Sequence, residues 1–323
     1  MAVVAGHLNP ADFAHTLARI KLAYIACIVL AASPLAVMLR ALRWRFLVAA
    51  GNHRPLRAYV GAYLVGVLAN AILLGRFGDL VKARFISKPG VGGDVTYGRS
   101  LSVVVIDRLL EGLALLVVFA AVLATASLPP WASRLAWVAG GLSLAALIAL
   151  RLLFGHRAGF LHLTERALAR VPASIRERLL AAVESLLAGC EALASYRRVM
   201  VALVYAFAVW GVEIATVAIL LRAFSVPAPW FHAAIVLVVV LNFGMLVPTS
   251  PGSVGVYQLL CVFALSLWGV DRQLALAFGV VMQTVLFVPL YLAGMVWLAV
   301  AMRGDRTWRG KLAAMPATGI SGK

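Results

Sequence analysis

The chain has 323 residues, of which 63% are hydrophobic and only 13% charged, with a mean hydropathy of +0.98. A soluble core under a solvated surface cannot be built from so few charges, so lipid is the solvent for most of this surface. The 29 Lys and Arg against 12 Asp and Glu leave a formal net charge of +17. These basic residues fall in short runs between apolar segments, which points to loops facing an anionic leaflet and argues against nucleic acid as a partner.

With about 19 residues as the spanning length, eight apolar segments stand out in chain order: 22–39, 56–75, 101–126, 135–154, 199–221, 230–248, 254–268 and 274–302. The residues before them are mixed, with Asp12, His15 and Arg19, and carry no cleavable signal. Arg40, Arg43, Arg45, Arg54 and Arg57 follow the first segment, and Arg76, Lys82, Arg84, Lys88 and Arg99 follow the second. Both flanks of 56–75 are therefore basic, which a full crossing does not allow under the positive-inside bias. A hairpin that dips in from the cytoplasm, turns near Gly75-Arg76-Phe77-Gly78-Asp79 and returns removes the conflict.

Segments 101–126 and 135–154 are joined by a poorly charged loop and lead to a stretch with Arg157, Arg166, Arg170, Arg176, Arg178, Arg197 and Arg198, expected to be cytoplasmic. Within 157–198, Leu179, Val183, Leu186, Leu187, Cys190 and Leu193 recur at helical spacing, and Glu177, Glu184 and Glu191 fall on another face. This pattern predicts an amphipathic helix at the interface or against the protein. Segments 230–248 and 254–268 form a second dip, joined by Pro248-Thr249-Ser250-Pro251-Gly252-Ser253 and flanked by few charges, so it should open outward. Asn70 precedes Gly75 and Gly78 much as Asn242 precedes Pro248, Gly252 and Gly255. The prediction is an all-α, polytopic transmembrane bundle forming a single membrane domain over 1–323, with two broken or re-entrant hairpins arranged as in an inverted-repeat transporter.

Broken backbone within a bilayer must be buried in protein or line an aqueous cavity, because unpaired amides are costly in hydrocarbon. The two tips thus mark a cavity. Arg76, Asp79, Lys82 and Arg84 beside the first tip suit an anionic head group, although an ordinary basic loop has the same composition. Asp107, Arg108 and Glu111 lie inside the longest apolar segment, where an unpaired charge costs at least about 2.5 kcal/mol. Arg108 and Glu111 are one turn apart and can pair; Asp107 then needs a cation such as Arg76 or Arg84. The trio is either a structural lock or a substrate or proton element. Glu213 could face the same cavity, with Trp210 as packing, and Gln258 can hydrogen-bond near the outer tip. Arg43-Trp44-Arg45 is expected to anchor the first helix at the interface. Cys27, Cys190 and Cys261 are far apart, and no His/Cys ligand set, nucleophile motif or nucleotide-type glycine loop is present, so neither a metal nor another cofactor is expected.

Taken together, Leu42-Arg43-Trp44-Arg45, Gly75-Arg76-Phe77-Gly78-Asp79-Leu80-Val81-Lys82, Asp107-Arg108 with Glu111, and Pro251-Gly252-Ser253-Val254-Gly255 with Gln258 resemble the lysylphosphatidylglycerol synthase transmembrane-domain family of flippase-like membrane proteins. The resemblance covers nearly the whole chain and implies a fold that handles phospholipids in the bacterial inner membrane. The sequence departs from the family's usual pattern at Leu74, where a Pro precedes the first tip glycine, and at Gln258, where the family has an acid. It also lacks the family's fused synthase domain, so aminoacyl transfer is not expected, and the family normally begins with one more membrane helix.

The leading expectation is a non-enzymatic translocase or presenter of an anionic phospho- or polyprenyl-linked lipid, with the C-terminus cytoplasmic and membrane lipids as partners. The alternatives are a membrane-embedded lipid-modifying enzyme using Asp79 or Asp107, and a scaffold that engages a cytoplasmic lipid or glycan enzyme through 157–198.

Overall fold

The computed structural model describes residues 22–48, 55–73, 77–87, 95–124, 130–169, 172–245 and 251–304, and all regular elements among them are helical. Gly75, Arg76 and Pro248, named above at the two tips, lie outside the described residues, as do 1–21 and 305–323. In chain order, α1 (Leu22–Cys27) passes through a π-helical turn (Ile28–Ala32) into α2 (Ser33–Val48). The first hairpin is α3 (Leu56–Ile72) and α4 (Gly78–Ile86), followed by α5 (Tyr97–Leu123) and α6 (Pro130–Gly155). Next come α7 (Arg157–Ala167), α8 (Ala173–Gly189), a 3-10 turn (Cys190–Ala194) and α9 (Tyr196–Ala223). The second hairpin is α10 (Trp230–Gly244), a 3-10 turn (Pro251–Ser253) and α11 (Val256–Ser266), and α12 (Arg272–Gly304) ends the described chain.

Ala23–Val48, Tyr196–Ala223 and Arg272–Ala301 are each long and apolar enough to cross a membrane, and Gly140–Leu153 with Arg157–Ala167 forms a further pair bent by 84°. The hairpin helices are different. α3 has 17 residues, α4 nine, α10 15 and α11 11, or roughly 14 to 26 Å at the helical rise, short of the roughly 30 Å hydrocarbon thickness. Each hairpin closes on itself, since α3 packs on α4 and α10 on α11.

Two apolar clusters hold the bundle. One joins the C-terminal half of α5 to α9, α10, α11 and α12 through residues such as Phe119, Leu220, Leu237 and Phe278. The other joins α2, α3 and α4 to the N-terminal half of α5 through Trp44, Tyr59, Ile86 and Ile106. α3 sits between α4 and α12 at short range because glycines face those neighbours. A Cβ on Gly61 would lie 1.9 Å from the Trp297 indole, and one on Gly294 would lie 2.8 Å from the Leu64 carbonyl oxygen. Close backbone approach of this kind is how helices associate where the solvent offers no hydrophobic contrast.

The first span extends past the predicted end at residue 39, continuing as helix to Val48 with Arg40 and Arg43 inside it. The charges are tolerated there because they are paired within the protein. The face predicted for 157–198 is divided: Leu187, Cys190 and Leu193 are buried, whereas Leu179 and Leu186 are exposed. The C-terminal end of α8 docks on the start of α5 through small residues. A Cβ on Gly189 would lie 2.4 Å from that of Ser102, and Ser102 Oγ donates to the Leu186 carbonyl at 2.6 Å.

Candidate functional site

α5 passes from one apolar cluster to the other between Leu110 and Ala114, and at that seam it carries Asp107, Arg108 and Glu111. Helical spacing sets Asp107 and Glu111 one turn apart, with Arg108 beside them on the same side. Two carboxylates to one guanidinium is an imbalance the other helices correct. Arg43 of α2 places Nε 2.7 Å from Asp107 Oδ1 and Nη2 2.5 Å from Glu111 Oε1. Arg40, one turn earlier, lies 3.6 Å from Glu111 and forms an ion pair with Glu213 of α9. Arg108 takes Glu111 Oε2 at 2.9 Å and grips Asp79 of α4 with two bonds of 2.9 Å. Lys82 Nζ stands 3.5 Å from Asp79, 3.9 Å from Asp107 and 4.7 Å from the centre of the Trp44 ring.

The network thus joins four cations (Arg40, Arg43, Lys82, Arg108) to four carboxylates (Asp79, Asp107, Glu111, Glu213) from four helices. Formal neutrality lets eight charges occupy a bundle interior, since each ion's desolvation is offset by a neighbour of opposite sign and by hydrogen bonds. Asp107 is met by Arg43 and Lys82 rather than by Arg84, which is exposed on α4. The Arg108–Glu111 pair forms as the spacing predicts.

Arg43 and Trp44 are buried, at 1% and 2% exposure, while Arg45 is exposed, so the expectation of an interfacial anchor fits Arg45 alone. Basic residues at a helix end ordinarily snorkel. The signal that could have found Arg40 and Arg43 is their spacing of about one turn, which matches that of Asp107 and Glu111, two acids with one cation between them on α5. Trp210 donates its indole N–H to the Glu111 carbonyl at 2.9 Å, so it fixes α9 against α5 rather than merely packing.

The network is exposed to a cavity of about 240 Å³ enclosed by both hairpins, α2, α9 and α12. Asn70, Asp79, Lys82, Asp107, Arg108, Glu111, Glu213, Asn242 and Gly252 all line it. Exposure is graded: the Arg43 side chain is sealed at 1%, whereas Arg108 and Glu213 are open at 44% and 30%.

The two tips meet beside the cavity, the Pro251–Ser253 turn packing on α3. The first tip is closed by Asn70, whose Oδ1 accepts from the Gly78 N–H at 2.7 Å and so caps α4. The second uses three amides: the Gly255 N–H donates to Gln258 Oε1 at 2.7 Å, Gln258 Nε2 to Gln283 Oε1 at 2.6 Å, and Gln283 Nε2 to the Gly252 carbonyl at 2.6 Å. That chain holds a backbone with positive φ at Gly252, Ser253 and Gly255, a conformation natural for the glycines and strained for the serine. Asn242 bonds back to Val238 of its own helix, so it does not repeat the role of Asn70. Gln283 was not foreseen, although a lone amide within a long apolar helix is itself a signal.

Replacement of Gln258 by Leu leaves the Gly255 N–H and the Gln283 amide without their partner. We expect a loss of about 1–3 kcal/mol, read as a lowered melting temperature in detergent, with Gln258→Glu closer to the parent because its carboxylate still accepts from Gly255. Equal melting of all three proteins would contradict the amide chain.

Among the described residues no group of His, Cys, Asp or Glu is arranged to hold a metal ion. No curated protein and no solved structure matches the chain. The model of one family, described as the lysylphosphatidylglycerol synthase TM region, matches residues 1–294, and with its apolar spans and paired hairpins the chain belongs to that family of membrane proteins.

Proposed function

We propose that the protein is a flippase-like translocase that moves or presents an anionic phospholipid or polyprenyl-linked lipid, and that it is not itself an enzyme. The observation that carries this reading is the two-part lining of the cavity. One wall is ionic, with Arg40, Asp79, Lys82, Arg108 and Glu213; the other is apolar, with Val217, Leu241, Met282, Leu286 and Phe287. A head group with its glycerol or prenyl stem has the same polarity division, and a small hydrophilic solute has not. Arg108, the most exposed of the network's cations, can exchange the Asp79 carboxylate for a phosphate of the same geometry, since both accept two parallel guanidinium bonds. Asp79 then keeps Lys82 at 3.5 Å, so the exchange does not leave its carboxylate without a cation.

In this reading the chain is one membrane domain of the bacterial cell membrane, and its partners are membrane lipids. Arg303 falls in the last turn of α12, and Arg306, Arg309 and Lys311 come after it in the sequence, so in this reading the positive-inside bias favours a cytoplasmic C-terminus and a cytoplasmic 157–198 stretch.

Reconstitution into vesicles with fluorescent phosphatidylglycerol or phosphatidylcholine, read by chemical quenching of the outer leaflet, tests the proposal. Phosphatidylglycerol should cross faster. Arg108→Gln should slow it about tenfold or more, the equivalent of one charge-assisted hydrogen bond of about 1.5–3 kcal/mol. Protein-independent crossing, or equal rates for both lipids and both proteins, would refute selective lipid movement.

A further inference from the structure

A lipid whose head group enters an interior cavity must leave its chains in hydrocarbon, so the cavity wall has to open sideways within the spans. The first span and α12 both contribute accessible residues to the cavity lining. Ala32 and Ser33 of the first span, and Leu286, Phe287, Leu290 and Tyr291 of α12, line the cavity and are each partly exposed. α12 meets the first span at the π-helical turn, so these residues lie along one seam.

Both sides of that seam are interrupted helices. On one side the Ser33 N–H bonds to the Ile28 carbonyl, the wider i to i+5 register. Pro34 explains the widening: it has no N–H to donate, and its ring would collide with the Leu30 carbonyl in a regular α-helix. On the other side Pro289 lies inside α12 and leaves the Val285 carbonyl without its helical donor. Small side chains, Ala32, Ser33 and Ala36, face the cavity on the first side, and bulky apolar ones on the second. Leu30, on the same π turn, is 76% exposed and is not part of the lining.

We propose that the seam between the π-helical turn and the Pro289 region of α12 is the lateral portal that seats the acyl or prenyl chain of the lipid whose head group is held by the ionic wall. The proposal rests on the lipid-handling reading above. Narrow small-residue packing admits a flexible methylene chain when the two helices part slightly, and a helix weakened at a proline bends there at low cost.

The test uses the full chain in vesicles containing phosphatidylglycerol with a photoactivatable diazirine on one acyl chain, with labelled peptides mapped by mass spectrometry. Label should concentrate on 28–37 and 286–291. In parallel, Ser33→Trp and Leu290→Trp should each slow movement of fluorescent phosphatidylglycerol at least fivefold, while Leu30→Trp on the outward face leaves the rate unchanged. A wild-type protein that moves lipid but carries its label only on other lipid-facing helices overturns the portal and leaves translocation standing. Label at the seam in a wild-type protein that moves no lipid overturns translocation and leaves a chain-binding site. Should Ser33→Trp fold poorly, the wild-type labelling pattern and Leu290→Trp still decide the matter.

Discussion

Arg43→Ala is expected to destabilise the protein by about 3–5 kcal/mol, the range for breaking a buried ion pair by removing one partner. The Arg43 side chain is 1% exposed and Asp107 6%. Without the guanidinium, the ion pair left to Asp107 is Lys82 at 3.9 Å, too weak at that separation to replace the Arg43 contact of 2.7 Å. Glu111 fares better, since it retains Arg108 at 2.9 Å and Arg40 at 3.6 Å. The loss therefore concentrates on Asp107. Thermal unfolding in detergent, followed by size-exclusion recovery, measures it. Arg43→Met combined with Asp107→Leu should recover at least half of the loss, because a buried pair replaced by apolar groups of similar volume leaves no stranded charge. A single-variant loss below about 1 kcal/mol, the ordinary size for a point substitution, would mean that water reaches this part of the network.

This expectation separates two roles within one cluster of charges. Arg43 with Asp107 is a sealed frame that fixes α2 against α5, and its removal should register as lost stability. Arg108 and Glu213, open to the cavity at 44% and 30%, can exchange partners, and Arg108→Gln should register as lost lipid movement in a protein that still folds. Equal behaviour of the Arg43 and Arg108 variants in both assays would remove the distinction between frame and rim.

The helices were legible because a long apolar run in a chain with this composition has few alternatives, and the broken tips because Gly, Pro and Asn punctuate such runs in a way that a spanning helix does not need. Asp107, Arg108 and Glu111 could be singled out as charges set deep in an apolar segment, where only pairing makes them tolerable. Their partners were harder. Arg40 and Arg43 share a basic flank with Arg45, Arg54 and Arg57, and local sequence does not tell which of these turn inward. That choice depends on the face of α2 that meets α5, a tertiary fact. For the same reason Lys82 and Arg84, two residues apart on α4, fall on different sides: Lys82 is buried beneath Trp44 and Arg84 is exposed. The amide chain through Gln283 escaped notice because its members, Gln258 and Gln283, are 25 positions apart and come together only where α11 packs on α12.

Gly78→Ala should approach the loss of Arg43 in cost, for a steric reason. A Cβ at Gly78 would lie 2.0 Å from the Gly66 carbonyl oxygen and 2.6 Å from the amide head of Asn70. The first obstacle is backbone, which cannot rotate aside, so α4 must move away from α3. The Asn70 cap on the Gly78 N–H, 2.7 Å long, stretches with it, and Asp79 and Lys82 follow, since both ride on the first turns of α4. Overpacking ordinarily costs about 1–3 kcal/mol, and the upper end is expected here because the cap is lost as well. Gly141→Ala supplies the contrast: a Cβ there meets nothing within 4 Å, so alanine in the middle of α6 should be neutral or stabilising by up to about 1 kcal/mol. Melting of the two variants in parallel distinguishes a specific backbone contact from a general cost of altering helix glycines. If Gly78→Ala melts with Gly141→Ala, the hairpin is looser than its Gly66–Gly78 contact implies, and the ionic wall carried by α4 is not held in register by that contact.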